Sequence, residues 1–153
     1  MSFIVTVTGW RDWLKAGLPP HVVTYYLERY RQLYGSGMHV RVGEATGVDK
    51  IVRDWLFESE RQGWGGTFCV YHAEWGLKGR AAGPLRNGRM LKGEEIRMPD
   101  LFAGELAHEL LGFPEPGIDW RQPGSGSVDC ILQAVGLGIT LNVPGVLKPQ
   151  VSG

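Results

Sequence analysis

Two cysteines in 153 residues, Cys69 and Cys130, are too few for a disulfide framework or for a zinc site built of clustered thiolates. Each stands in an apolar run, Thr67-Phe-Cys-Val-Tyr71 and Val128-Asp-Cys-Ile-Leu132, and reads as a small buried core residue. Charge of one sign is equally lacking: 16 basic residues balance 16 acidic ones. That excludes the broad basic footprint of a nucleic-acid binder or of a protein held to an anionic membrane surface, although a local basic pocket remains open. No run approaches the roughly 20 apolar residues of a membrane span. The first residues run straight into Phe3-Ile-Val-Thr-Val-Thr8, without the basic and apolar regions of a secretory leader, so the expected compartment is the cytoplasm. Histidine is scarce and scattered, at positions 21, 39, 72 and 108, with no i, i+4 pair. Neither a metal site nor a cofactor is expected, and only His72, just past a strand, stands where it could meet a ligand.

Glycine is the abundant residue, 23 of 153, about twice the usual share of about 7%. The glycines fall between apolar runs, where the backbone turns tightly or approaches something closely. Phe3 to Thr8 reads as a buried strand, and His21 to Tyr34 as a helix with Val22, Val23, Tyr26, Leu27, Tyr30 and Leu33 at helical spacing. Met38 to Val42 is a second strand. Val48 to Gln62 is a helix whose stripe is Val48, Ile51, Val52, Trp55, Leu56 and Ser59. Thr67 to Tyr71 is a third strand, Ala73 to Pro84 a long loop, and Leu85 to Lys92 a short helix. Glu109 to Phe113 reads as strand by analogy and as helix by propensity. Ser127 to Leu137 is a helix with Val128, Ile131, Leu132 and Val135 inward, Ile139 to Val143 the last strand, and 144–153 a loose tail. Strands alternating with helices, and no linker or repeat, predict one α/β domain of Rossmann-like, doubly wound build, with a mainly parallel sheet of about five strands. In such sheets ligands bind outside the carboxyl ends of the strands.

Those ends carry Thr8-Gly-Trp-Arg-Asp-Trp13, Gly43-Glu-Ala-Thr-Gly-Val-Asp49, Ala73-Glu-Trp75, Gly79-Arg-Ala-Ala-Gly-Pro-Leu-Arg-Asn87 and Pro123-Gly-Ser-Gly-Ser-Val-Asp129. A glycine turn feeding a helix exposes backbone N–H groups beside a partial positive charge, which suits phosphate. Gly124, Ser125, Gly126 and Ser127 offer one such turn; Gly43, Thr46 and Gly47 offer another, with Gly9 before them. Arg11, Arg80 and Arg86 supply planar forks for phosphate oxygens. Glu44, Asp49 and Asp129 are acceptors for ribose hydroxyls, and Trp10, Trp13 and Trp75 are candidate walls for a base or ribose. Each has a plainer reading. The last turn could be a bare loop with a serine cap, Asp49 and Asp129 could complement helix dipoles, and Trp55 and Trp64 belong to packing stripes.

These same segments resemble the YspA-like branch of the SLOG superfamily. The Gly79-Arg-Ala-Ala-Gly-Pro-Leu-Arg-Asn-Gly-Arg-Met90 run is the most specific part, Gly126-Ser-Val-Asp129 is similar to that branch's Gly-Thr-x-Asp segment, and the likeness spans about residues 3 to 144. It implies a Rossmannoid domain with a small-molecule nucleotide in its crevice, Gly83 and Asn87 beside it, and a homo-oligomer in which subunits share pockets. The superfamily includes the Lonely Guy phosphoribohydrolases, which split a nucleoside 5′-monophosphate into base and ribose 5-phosphate. Arg86 and Met90 match their Arg-x-x-x-Met helix. Asp129 stands near the place of their catalytic acid, but it is shorter and one residue nearer an abbreviated glycine turn. Two functions follow as expectations: an N-glycosidase with Asp129, Glu44 and Arg86 as catalytic groups, or a non-catalytic module that senses or sequesters an ADP-ribose-like nucleotide. DNA binding is the weaker third.

Overall fold

The computed structural model describes residues 2–122 and 126–144. Five strands, β1 (Phe3–Gly9), β2 (Met38–Gly43), β3 (Thr67–Tyr71), β4 (Glu109–Phe113) and β5 (Thr140–Asn142), form one parallel sheet in the order β3-β2-β1-β4-β5. The helices are α1 (Pro20–Tyr34), α2 (Val48–Arg61), α3 (Trp75–Lys78), α4 (Ala82–Lys92) and α5 (Ser127–Gly136). The fold class read from the sequence is the one observed.

Strand alternation divides the core in two. Val5 and Val7 of β1, with Val40 and Val42 of β2, pack on α1 and α2 through Val23, Leu27, Val52 and Leu56. Ile4, on the opposite face, joins Leu110 of β4, Met90 and Leu91 of α4, and Cys130, Ile131 and Ala134 of α5. Buried strand residues pointing alternately to two helix layers are what a doubly wound sheet requires. All six residues of the α2 stripe are buried. Elsewhere the stripes run wide: Leu33 is 67% exposed and Val135 51%. On α5 Val128 and Ile131 are buried as expected, and Cys130 and Ala134, rather than Leu132 and Val135, complete the inward face. No described helix is long and apolar enough to cross a membrane.

The second face also carries charge. Arg41 of β2 is fully buried, with its Nε donating to Asp100 Oδ2 at 2.9 Å and its two Nη atoms to the carbonyls of Leu91, Glu105 and Phe102. Tyr71 Oη donates to the same carboxylate at 2.6 Å, and His39 Nε2 lies 3.0 Å from its other oxygen. Burial alone would raise the Asp100 carboxyl, but His39, Tyr71, the Phe102 amide and Arg41 hold it well below the usual carboxylate range. This network ties the 93–107 connection to β2 and β3.

Chain order runs outward from β1 through β2 to β3, then returns to β4 on the other side of β1. The switch point therefore lies between the carboxyl ends of β1 and β4, with β2 beside it. Ala73 to Pro84, expected as one loop, folds as α3, a 3-10 turn over Gly79–Ala81, and the first turn of α4. Pro84 sits in that first turn, where its missing N–H has no helical partner to lose.

Candidate functional site

Two glycine turns meet the switch point, and they do different work. Gly9 ends β1 so close to α2 that a Cβ there would lie 2.5 Å from Val48 Cβ. Gly47 has φ +69°, and a Cβ on it would lie 2.4 Å from the carbonyl oxygens of Trp10 and Arg11. The first N–H of α2, from Val48, donates to Trp10 O at 3.3 Å, and Thr46 Oγ1 donates to Arg11 O at 2.9 Å. Arg53 Nη1 reaches back to the carbonyls of Gly43 and Ala45. The 44–47 turn thus docks the start of α2 onto the segment after β1. Arg11 contributes its carbonyl to that seam while its side chain stays in solvent.

Gly43 is different. A Cβ on this last residue of β2 would lie 2.6 Å from Arg86 Nη1 and 2.7 Å from Asp49 Oδ2. An arginine and a carboxylate therefore face each other across the space that a side chain would fill. Asp49 accepts from the Ala45 amide at 3.1 Å. Its burial pushes the carboxyl up to about 6 despite the opposing pull of Arg86. Arg86 projects from α4 with 9% of its surface exposed; its Nε donates to Asn87 Oδ1 at 3.1 Å, and its Nη1 is buried with no hydrogen-bond partner among the described residues. A guanidinium N–H left bare inside a protein is costly unless something else accepts from it.

Asn87 carries the arrangement to α5. Its Nδ2 donates to Gly126 O at 3.2 Å and to Asp129 Oδ2 at 3.0 Å, and Gln133 Nε2 donates to the same carboxylate oxygen at 2.7 Å. Gly126, at φ +58°, turns the chain into α5, and Ser127 is its first residue, 8% exposed. The Cys130 thiol of α5 is fully buried, and that burial pushes it up to about 12. Gly43, Asp49, Arg86, Asn87, Gly126, Ser127 and Asp129 are thus one connected group at the ends of β1 and β2 and the start of α5. Gly124 and Ser125 lie outside the described residues.

A second group lies at the end of β3. Glu44 Oε1 accepts from the Ala73 amide at 2.9 Å, and its Oε2 is 3.8 Å from His72 Nε2. His72 Nδ1 is 3.4 Å from Glu95, which Arg89 pairs at 3.1 Å. Burial alone would raise the Glu95 carboxyl; the amides of His72, Ile96 and Arg97, with Arg89 alongside, hold it below its ordinary range. Glu44, Glu74, Trp75, Leu77 and Arg97 line an open cleft of about 410 Å³. Trp75 is 55% exposed, and its Cη2 lies 3.2 Å from where a Cβ on Gly83 would be.

Of the other residues singled out in the sequence, Arg80 is exposed in the 3-10 turn and joins neither group. Trp13, a candidate wall, is 1% exposed and packs edge-on against Phe113 in the core, its indole N–H donating to Pro19 O. Gln133, Arg89 and Glu95 join the two groups without being singled out in the sequence: Arg89 and Glu95 reach His72 across 17 and 23 residues, whereas Gln133 stands one helical turn after Asp129, a spacing that sequence reading could have used. Among the described residues no three His, Cys, Asp or Glu side chains gather where they could hold a metal ion. Comparison with protein-family models, with curated proteins and with solved structures gives no match for the chain.

Proposed function

We propose that this protein binds a nucleotide-type ligand in the crevice at the carboxyl ends of β1, β2 and β4, with a phosphate oxygen accepting from Arg86 and from the start of α5. The observation that carries the reading is the Arg86 guanidinium: buried, aimed at the bare backbone of Gly43, and lacking an acceptor for Nη1 among the described residues. A phosphate oxygen there gains a charge-assisted hydrogen bond, and the α5 terminus adds its dipole. Titration calorimetry against nucleoside monophosphates and ribose 5-phosphate tests it. Arg86→Lys keeps the charge but loses the fork, and is expected to weaken binding at least tenfold. Wild-type affinity in that variant, or no binding of any phosphate ester by the wild type, refutes the reading.

A second reading, hydrolysis of the N-glycosidic bond, rests on Asp129. Asn87 and Gln133 fix its Oδ2, while Oδ1 makes no hydrogen bond among the described residues. A carboxylate oriented through one oxygen and open at the other suits stabilisation of an oxocarbenium-like state or orientation of water. Glu44, held by the Ala73 amide, is the other candidate acid. Release of free base from nucleoside monophosphates, abolished in Asp129→Asn with binding intact, supports turnover; absence of base leaves a binding or sequestering module.

A further inference from the structure

The cleft after β3 has a chemistry of its own, and none of the Arg86 group lines it. Its volume of about 410 Å³ falls within the range of about 300–1,000 Å³ usual for small-molecule sites. The chain leaving β3 brings Glu74, Trp75 and Leu77, the turn after β2 brings Glu44, and the connection after α4 brings Arg97. Charges of both signs thus line one cleft without meeting: among the described residues no ion pair joins Glu44 or Glu74 to Arg97. Glu74 is tied in by its carbonyl, which accepts from the Leu77 and Lys78 amides, and Arg97 by its amide, which donates to Glu95. Neither side chain has a hydrogen-bond partner among the described residues. The segments that carry them are clamped to each other. Glu95 accepts from the His72 amide at 2.8 Å and the Ile96 amide at 2.7 Å, and Arg89 donates both to Glu95 at 3.1 Å and to the His72 carbonyl at 2.7 Å. The same lining holds apolar surface out in water, with Trp75 55% exposed and Leu77 78%.

From this lining we infer that the cleft is a second, separate site that binds a free α-amino acid with an apolar side chain: its ammonium against Glu74 and Glu44, its carboxylate on Arg97, and its side chain on Trp75 and Leu77. The inference does not rest on the Arg86 reading above. A zwitterion is the ligand that satisfies both signs at once. A plain anion drawn to Arg97 would meet two carboxylates, and a plain amine drawn to the carboxylates would meet a guanidinium. The donor and acceptor chemistry matches. An ammonium has three N–H donors to share between two carboxylates, and a guanidinium takes a carboxylate through two parallel hydrogen bonds. Glu44 is oriented for this by the Ala73 amide, which occupies Oε1 and leaves Oε2 without a hydrogen-bond donor among the described residues. Trp75 and Leu77 then supply the hydrocarbon surface that distinguishes a large apolar side chain from none.

Calorimetry on the full chain tests it, with L-phenylalanine, L-leucine and glycine as probes, and with phenethylamine and phenylpropionate, which keep the ring of phenylalanine but each lack one of its charges. The wild type is expected to bind phenylalanine or leucine with a Kd below about 1 mM and at least tenfold tighter than glycine. Loss of either charge from phenylalanine is expected to weaken binding at least tenfold. Arg97→Gln, at an exposed position, is expected to abolish the preference for phenylalanine over phenethylamine, Glu74→Gln to reduce the preference over phenylpropionate at least threefold, and Trp75→Ala to bring phenylalanine toward the affinity of glycine. Failure of both phenylalanine and leucine to bind at up to about 10 mM overturns the proposal. So does phenethylamine or phenylpropionate binding as tightly as phenylalanine, which would make the cleft a site for one sign of charge alone. An Arg97→Gln protein with the wild-type circular dichroism spectrum and the full preference for phenylalanine over phenethylamine overturns it as well.

Discussion

Replacing Gly43 by alanine adds one methyl group at the point where β2, α2 and α4 meet, and it separates the site from the fold. The new Cβ would fall 2.6 Å from Arg86 Nη1 and 2.7 Å from Asp49 Oδ2. Both atoms are ends of side chains, and the backbone at Gly43 does not need positive φ, so the strand can stay in register while the guanidinium moves away. Overpacking of this kind costs about 1–3 kcal/mol. The lost freedom of the unfolded chain returns about 0.4–1 kcal/mol. The net loss is about 0–2.6 kcal/mol, a Tm drop of no more than about 10 °C at about 2–4 °C per kcal/mol. Binding suffers more: a displaced Arg86 forfeits a charged hydrogen bond of about 1.5–3 kcal/mol, or about 10- to 150-fold in Kd. Gly47→Ala is the contrasting control. Its Cβ would strike main-chain carbonyls at 2.4 Å from a positive-φ position, so strain of about 1–3 kcal/mol adds to overpacking that no rotamer can relieve. Thermal unfolding and calorimetry on both variants read the two effects. A folded Gly43→Ala protein that binds phosphate esters as tightly as the wild type would refute the placement of Arg86 in the ligand site.

The buried Asp49 carboxyl, pushed up to about 6, holds its proton more tightly folded than unfolded, where its ordinary value is about 3.9. Its contribution to stability is therefore full below about pH 4 and is lost as pH rises through about 6, by up to about 3 kcal/mol; denaturation across this window should lose that slope in Asp49→Asn. Asp100→Ala strips Arg41 of its carboxylate and leaves a fully buried guanidinium short of a counter-charge, so urea unfolding should show a loss of about 3–5 kcal/mol. Burial raises the Cys69 and Cys130 thiols to about 11 and about 12. Both should resist a thiol-reactive dye at pH 8 in the native protein and react fully once it is unfolded.

Local pattern carried the sheet and most helices into view because they are written in short-range periodicity. The six-residue stripe of α2 and the bounds of β3 need nothing beyond their own neighbours. What escaped depends on distant partners. Arg41 interrupts an apolar strand without betraying that Asp100, 59 residues on, neutralises it. Trp13 follows a strand end with the look of a ligand wall, yet Phe113 and the Pro19 carbonyl claim it for the core. Gly83 and Pro84 read as loop because propensity counts them as breakers, although a first helical turn tolerates both. Arg86 was legible as a phosphate fork from its glycine-rich context. That its Nη1 faces the bare strand end at Gly43 was not, since that contact joins residues 43 positions apart.

Glycine turns at strand ends invite a single explanation, and this molecule supplies two. Gly9 and Gly47 are required by the approach of α2 to the segment after β1, and the first α2 amide is already taken by Trp10. A ligand cannot use a donor that the fold has consumed. At Gly43 the nearest atoms to a Cβ are instead an arginine end and a carboxylate end. On the proposed reading the anion therefore sits not at the β2–α2 turn but at α4 and the start of α5, where Arg86 Nη1 has no acceptor among the described residues and Asn87 links the two helices. The raised Asp49 belongs to the same logic. On the proposed reading Asp49 competes with phosphate for Arg86, and because its carboxyl is raised only to about 6, that competition falls away as pH drops below about 6.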